Sequence, residues 1–192
     1  TVFIADHGLA AVVVTRFDPA ARTLSGLSVV RASALSQAPI DVAWDGQTDP
    51  VNREYFFALG SDGQISYWQW TGAAATLQWS VTAQEGSSAG QFRRASGICV
   101  GRALGANGGG VFTDDVYVAD AGNNRLAWFR RVASSLTWVG SVTLSNSGVP
   151  SDCATDVFGN VYVSDRANHR LLKYTSYLES LTSYGSYGRG PS

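Results

Sequence analysis

The stretch Val116-Tyr-Val-Ala-Asp-Ala-Gly-Asn-Asn-Arg-Leu126 decides the fold, because a close copy of it follows as Val161-Tyr-Val-Ser-Asp-Arg-Ala-Asn-His-Arg-Leu171. On the same frame, Val2-Phe-Ile-Ala-Asp-His-Gly-Leu-Ala-Ala-Val12 matches over its first half. A fourth stretch, Tyr55-Phe-Phe-Ala-Leu-Gly-Ser-Asp-Gly-Gln-Ile65, matches by its pattern of apolar and turn residues. The four starting residues are 53, 61 and 45 positions apart. Four copies in phase predict one structural unit that is repeated along the chain.

Each copy predicts a β-hairpin. In the third copy an apolar triplet from Val116 leads into Asp120, Gly and Asn residues follow, and a second β-rich stretch begins at Leu126. Gly and Asn adopt the left-handed backbone conformation that a tight hairpin needs. No helical period persists over a useful window, so we expect an all-β chain.

Two further strands are expected around each hairpin. A third strand follows every hairpin, at residues 24–30, 77–81, 136–142 and 178–184. A first strand precedes three of the hairpins, at residues 40–44, 96–100 and 151–155, and the first copy lacks it. Each unit is therefore a four-stranded antiparallel sheet with apolar residues on both faces. Such a sheet must be covered by a neighbour on each side, and radial repetition achieves this.

The pattern predicts a β-propeller with about four blades in a single domain over residues 1–192. The predicted blades are residues 1–35, 39–92, 95–147 and 150–192. Three situations stay open: a portion of a longer propeller, a small ring that lacks one strand, or a module whose open faces meet those of other copies. An uncovered apolar face is costly, which disfavours the small ring.

The third and fourth copies resemble NHL repeats, a class of propeller blade. The connections Gly90-Gln-Phe-Arg-Arg-Ala-Ser-Gly-Ile98 and Tyr184-Gly-Ser-Tyr-Gly-Arg-Gly-Pro191 resemble the glycine-rich link between such blades. The first two copies depart from the pattern, with Ala11 and Gln64 in place of the arginine. The resemblance implies a propeller of about six blades, within the usual range for the fold. It also implies binding of a ligand or partner through one face.

Composition excludes several functions. The chain has 14 Lys and Arg against 15 Asp and Glu, and Lys173 is the sole lysine. RNA binding, which some NHL propellers perform with a basic face, is therefore disfavoured, and we expect no nucleic-acid partner. No apolar run is long enough to cross a bilayer, so we expect no membrane insertion. Few lysines, abundant Ser, Thr and Gly, and six tryptophans suit an extracellular or cell-surface protein.

Two acid–arginine pairs recur at one spacing, Asp120 with Arg125 and Asp165 with Arg170. Each pair either contacts a ligand on the rim of the propeller or joins the two strands of its own hairpin. Because both copies carry the pair, we favour the structural interpretation.

Histidine and cysteine content bears on catalysis and on redox state. A propeller-type amidating lyase resembles this fold and would hold zinc with three histidines, whereas His7 and His169 lie in outer turns and do not supply that set. We therefore expect no catalytic residue, metal or cofactor in this stretch. A lyase or hydrolase with its site in other blades is the rival hypothesis.

Cys99 and Cys153 lie in consecutive first strands, one position out of phase, and are either a disulfide or two buried thiols.

The best candidates for a binding surface are long loops at residues 44–53 and 101–112, which extend the first hairpins of blades 2 and 3. The candidate binding residues are Asp49, Arg53, Trp70, Asn107, Asp114 and Asp115. Asp114 and Asp115 are the best pair for calcium, although an exposed loop is the stronger expectation. Trp70 is a candidate for sugar stacking if it is exposed, and for core packing otherwise. The leading hypothesis is a non-catalytic module that binds a protein partner or copies of itself, as a ring or filament.

Overall fold

The computed structural model describes residues 1–31, 37–48, 53–82, 84–104 and 110–186. The chain forms two compact units, Thr1–Ala83 and Gln84–Ser192. Every sheet in them is antiparallel, with its strands hydrogen-bonded in sequence order. The division of a single domain into the blades given above stays a prediction.

The first unit holds two sheets. The three-stranded sheet of blade 1 contains β1 Val2–Asp6, β2 Ala11–Asp18 and β3 Thr23–Arg31. The four-stranded sheet of blade 2 contains β4 Pro39–Thr48, β5 Glu54–Gly60, β6 Gln64–Trp70 and β7 Ala75–Thr82. In the described part of the chain, the sheet of blade 1 has three strands, which correspond to the second, third and fourth strands of the other blades.

The second unit also holds two sheets, both four-stranded. Blade 3 contains β8 Ala95–Leu104, β9 Gly110–Asp120, β10 Arg125–Val132 and β11 Ser135–Thr143, with a short 3-10 helix at Ala121–Asn123. Blade 4 contains β12 Pro150–Thr155, β13 Val161–Asp165, β14 Arg170–Tyr174 and β15 Ser180–Tyr184. The described part of the chain contains no helix with the length and hydropathy to span a bilayer.

The four repeated hairpins share one backbone feature. The ninth residue of each copy has a positive φ, at Ala10, Gly63, Asn124 and His169. Only one of these is a glycine, although the composition of the turns suggested that Gly would supply this conformation. Gly122 has a different role: its N–H donates to the Arg93 carbonyl at 2.6 Å, and a Cβ on it would collide with that residue.

Each unit has its own core, built by two blades that pack face to face. In the first unit Val12 and Val14 of blade 1 pack with Phe56, Trp68 and Trp70 of blade 2. In the second unit the core residues of blades 3 and 4 are Cys99, Tyr117, Leu126, Trp128, Leu144, Cys153, Val161, Val163, Leu172, Tyr174 and Leu178. Full burial of one such aliphatic or aromatic side chain stabilises the fold by roughly 1.5–3 kcal/mol, which explains the apolar residues on alternate strand positions.

Residues 44–48, 101–104 and 110–112 of the two predicted long loops are strand, so the expectation of a loop is wrong for these residues. In blade 2 the first hairpin continues until Thr48 pairs with Glu54, and in blade 3 until Leu104 pairs with Gly110. Irregular registers between Trp44 and Thr48, and between Val100 and Arg102, interrupt the alternation of apolar and polar residues. The candidates Asp49 and Asn107 lie outside the described residues.

Candidate functional site

The Asp120–Arg125 pair joins its hairpin to the connection that precedes blade 3. The two residues are directly opposite each other in β9 and β10, and Arg125 Nε lies 2.8 Å from Asp120 Oδ2. Asp120 Oδ1 accepts the Arg93 N–H at 2.8 Å. Arg125 also donates to the carbonyls of Ser87, Ser88 and Gln91 at 2.9, 3.1 and 2.8 Å. The guanidinium is therefore enclosed by carbonyl oxygens of the connection.

Blade 4 repeats this arrangement. Arg170 Nε lies 2.9 Å from Asp165 Oδ2, and Asp165 Oδ1 accepts the Val149 N–H at 2.9 Å. Arg170 Nη2 donates to the carbonyl and hydroxyl oxygens of Ser145 at 2.7 and 2.9 Å. Each pair thus joins the two strands of its own hairpin and also binds the preceding connection.

Sequence reasoning missed a third member of this arrangement. Asn123 donates to Asp120 Oδ2 at 2.7 Å and to the Gly86 carbonyl at 2.8 Å. Asn168 donates to Asp165 Oδ2 at 2.8 Å and to the Asn146 carbonyl at 3.2 Å. The recurrence of asparagine at the same position in both copies was the available signal. Neither aspartate carboxylate is open to solvent, which favours a structural role over ligand binding.

Burial raises the pKa of Asp165, but hydrogen bonds from Asn168, Arg170 and the Val149 N–H, with the charge of Arg170, outweigh it. The net effect holds the pKa of Asp165 below its usual value. The carboxylate is therefore ionised at neutral pH and keeps its arginine partner.

Asp114 and Asp115 lie in strand β9 and not in an exposed loop, so the expectation of a loop is wrong. Asp115 is 8% exposed and accepts the Trp128 indole N–H at 2.9 Å. Arg130 donates to the same oxygen from Nε at 3.0 Å and from Nη2 at 2.9 Å. Asp114 pairs with Arg131 at 2.8 Å. Each carboxylate thus has an arginine partner, which is unfavourable for calcium.

Beside the Asp115–Arg130 pair, the side chain of Trp128 packs against an exposed tyrosine, Tyr177. The Tyr177 ring meets the Trp128 ring edge-on at a centroid distance of 6.0 Å, and the Arg130 guanidinium lies 5.6 Å from the same indole. The Tyr117 hydroxyl donates to the Ser176 carbonyl at 2.8 Å and anchors the turn that carries Tyr177. Burial, with a smaller effect of Asp115, raises the pKa of Tyr117, so its hydroxyl remains a donor at neutral pH.

A second exposed aromatic residue, Phe158, lies on the turn before β13 of blade 4. Phe158 and Tyr177 are each 69% exposed. A Cβ at Gly159 would lie 3.1 Å from the Arg102 carbonyl and 3.9 Å from Ser176 Cβ, so the turns before β13 and before β15 are in contact. We call the exposed residues Arg130, Phe158 and Tyr177 of the second unit the Tyr177 surface.

The remaining candidates lie in the first unit. Trp70 is 4% exposed and belongs to the core of that unit, so it does not present an exposed ring for sugar stacking. Arg53 is half-buried immediately before β5. Their role in binding stays a prediction, as does that of Asp49 and Asn107.

Cys99 and Cys153 form a disulfide with a Cα–Cα distance of 5.7 Å. The bridge connects β8 to β12, the first strands of blades 3 and 4, and thereby decides between the two states that the sequence left open.

His7 and His169 are exposed in their turns, as expected. Among the described residues, no group of three or more His, Cys, Asp or Glu side chains is placed to hold a metal ion.

Comparison with solved structures assigns the fold. A streptogramin B lyase structure superposes with a TM-score of 0.55 at 12% identity, over 96% of this chain and 51% of that one. A chain of a nidogen/laminin complex superposes with a TM-score of 0.59 at 14% identity, over 96% of this chain and 61% of that one. The chain has a β-propeller fold. At these identities the likeness concerns the fold alone, and the chain spans about half to three fifths of the two propeller structures it matches.

No family model matches the chain, so membership of the NHL family is not established. No curated protein matches it either. The two propeller neighbours have different roles, one a lyase and one a member of a protein complex, and they leave open whether this propeller is an enzyme.

Proposed function

We propose that this chain is a non-catalytic propeller module of NHL-type blades that binds a protein partner, or further copies of itself, outside the cell. The Tyr177 surface carries the proposal. It combines two aromatic rings that are each 69% exposed with Arg130, whose side chain is 50% exposed. Tyrosine and arginine are the residue types most enriched among those that dominate binding energy at protein interfaces.

The rigidity of this surface strengthens the proposal. Tyr177 rests on Trp128, which is itself hydrogen-bonded to Asp115, and its turn is anchored by the Tyr117 hydroxyl. Arg130 is held by two hydrogen bonds to Asp115. Side chains that are already fixed lose little conformational entropy on binding, so more of the contact energy appears as affinity.

Three buried carboxylates of the second unit are poorly placed for catalysis. A general acid or base needs a carboxyl group that can reach a substrate, yet Asp115, Asp120 and Asp165 are buried and paired with arginines. A lyase or hydrolase remains the rival, and metal analysis of the native protein separates the two. Stoichiometric zinc or calcium would favour the enzyme.

The disulfide supports a location outside the cell. Disulfides persist in oxidising compartments and are rare in the cytosol of most organisms. The bridge between Cys99 and Cys153 therefore favours a secreted or surface-displayed protein, in line with the sequence-based expectation. The nidogen/laminin neighbour is consistent with this location.

The proposal is tested by comparing surface variants. Phe158→Ser combined with Tyr177→Ser removes both exposed rings, and Leu27→Ser, at a position 71% exposed in the first unit, is the matched control. Self-association is measured by sedimentation over a concentration series. Partner binding is measured by quantitative mass spectrometry of proteins retained from extracellular fluid of the source.

We expect an interaction, with self or with a defined protein, that the double variant loses and the Leu27→Ser variant keeps. Equal binding by the two variants would remove the Tyr177 surface from the proposal. Absence of any interaction in the wild-type chain would overturn the function itself.

A further inference from the structure

The last strand of every blade carries one extra residue at the same place. Between the last two strands of each blade the register shifts once, and at that shift the last strand holds one residue more than its partner strand. The extra residue is Gln78 in β7, Val139 in β11 and Leu181 in β15, and in β3 two residues, Gly26 and Leu27, lie opposite Thr15. In all four blades the shift comes just after the fourth residue of the preceding strand: Val14, Tyr67, Trp128 and Lys173.

These last strands are exposed edges of their sheets. Each stands at one end of the strand order of its blade, and every side chain of β15 and every second side chain of β11 is exposed. At the other edge of the same two sheets, β8 and β12 lie against each other, because the Ser96 hydroxyl donates to the Pro150 carbonyl at 3.1 Å. The N–H and C=O groups of an exposed edge form a template on which a strand of another molecule can pair.

Most of the usual protection against such pairing is missing from these edges. Proteins protect edge strands with charged residues, prolines, short strands or bulges. β7, β11 and β15 contain no Lys, Arg, Asp, Glu or Pro, and the sole charged residue of β3 is Arg31 at its end. β11 has 9 residues and is rich in Thr, Val and Trp, which favour strands. The bulge is therefore the protection that remains in β11.

The bulge acts through the geometry of the backbone. An extra residue interrupts the row of hydrogen-bonding groups, bends the strand and increases its twist. In β11 it separates residues 135–138 from residues 140–143, so that each regular part has four residues. An incoming strand that is in register with one part is out of register with the other, which shortens the pairing that the edge supports.

We infer that the bulge in each last strand is a built-in barrier that keeps copies of this chain from joining edge to edge, and that β11 pairs with β11 of a second copy once its bulge is removed. Two identical antiparallel strands form a closed contact with twofold symmetry, in which no charges oppose each other. The inference is independent of the Tyr177 surface, and it leaves any association of copies to surfaces other than these edges.

The experiment deletes the extra residue. Without Val139, the pairs Trp128–Gly140 and Phe129–Trp138 become consecutive and the rest of the strand keeps its partners. Every sample carries Phe158→Ser and Tyr177→Ser, which removes association through the Tyr177 surface, and this double variant alone is the reference. Deletion of Gln78 makes the same change in blade 2. Addition of Thr137→Lys to the Val139 deletion restores a charge at an exposed position of β11. Sedimentation over a concentration series measures association, and circular dichroism measures folding.

We expect the Val139 deletion to associate at a concentration at least about 10-fold below that of the reference, which corresponds to about 1.4 kcal/mol of added association free energy. The Gln78 deletion should behave in the same way, and Thr137→Lys should reverse the effect of deleting Val139. A folded Val139 deletion that associates no more strongly than the reference, or that associates equally with Thr137→Lys present, would overturn the inference. Failure of both deletion variants to fold would also overturn it, because the extra residue is held to be dispensable for the pairing of its neighbours.

Discussion

Removal of the Cys99–Cys153 bridge should cost the chain several kcal/mol of stability. The bond closes a loop of 54 residues between the first strands of blades 3 and 4. Chain-entropy estimates for a loop of that size give about 4 kcal/mol of stabilisation through the unfolded state. With a urea m-value of about 2 kcal/mol/M, the midpoint should fall by about 2 M.

The assay is equilibrium urea unfolding of the oxidised protein, the reduced protein and the Cys99→Ala/Cys153→Ala variant. The reduced protein and the variant should unfold at similar concentrations, both well below the oxidised protein. Reductant added to the variant should change nothing, since no other cysteine is present. If reduction left the wild-type midpoint unchanged, or if two thiols titrated without reductant, the reasoning would be refuted.

Three further predictions concern the ties between hairpins and connections. Arg125→Met should destabilise the protein by about 3–5 kcal/mol because it leaves the Asp120 carboxylate buried without its cation. Arg170→Met leaves Asp165 equally buried but loses fewer bonds to its connection, so its cost should lie at the lower end of that range, about 3 kcal/mol. Urea unfolding measures both, and equal costs would contradict the bonding described here. The lowered pKa of Asp165 means that its contribution is complete above its unfolded value near about 3.9 and is lost as pH falls through the lower folded value. Asp165→Asn should therefore flatten the decline of the urea midpoint as the pH falls below about 4. If the urea midpoint of Asp165→Asn fell with pH as steeply as that of the wild type, this prediction would be contradicted. Gly148→Ala would place a Cβ 2.5 Å from Asp165 Oδ2 and should cost about 1–3 kcal/mol, while Gly140→Ala, where no atom lies within 4 Å, should cost under about 1 kcal/mol. Similar thermal midpoints for the two alanine variants would contradict this account.

Much of the fold could be predicted because the repeated hairpins carry their signal locally. The stretches from Val116 and Val161 each run from an apolar triplet into turn residues, and their Asp and Arg fall opposite each other across the turn. This pattern alone predicts the hairpin, its register and the pairing of the two charges.

The extent of the first hairpins could not be predicted, for a physical reason. In blade 3 an irregular register between Val100 and Arg102 breaks the period of two while the strand continues to Leu104. The last strand shows the opposite error. It begins at Ser180 and not at Leu178, which has a positive φ of 64° and buries its side chain in the core.

The candidate surface was only partly visible in the sequence. Asp114 and Asp115 drew attention as adjacent acids, but their arginine partners are 17 and 15 residues away, respectively, and meet them only across the sheet. Tyr177 and Phe158 carry no local signal at all. Their exposure depends on how two turns of blade 4 rest against Trp128 and against each other, which is a tertiary property.

The most direct test of the binding account is photo-cross-linking from a single position. A photoreactive phenylalanine analogue replaces Tyr177 in one sample and Tyr184, which is 53% exposed on β15, in another. After irradiation in extracellular fluid of the source, and separately with the purified chain alone, we predict one defined adduct from position 177 that Arg130→Gln abolishes. Adducts of equal yield from both positions, or none from position 177, would contradict the account.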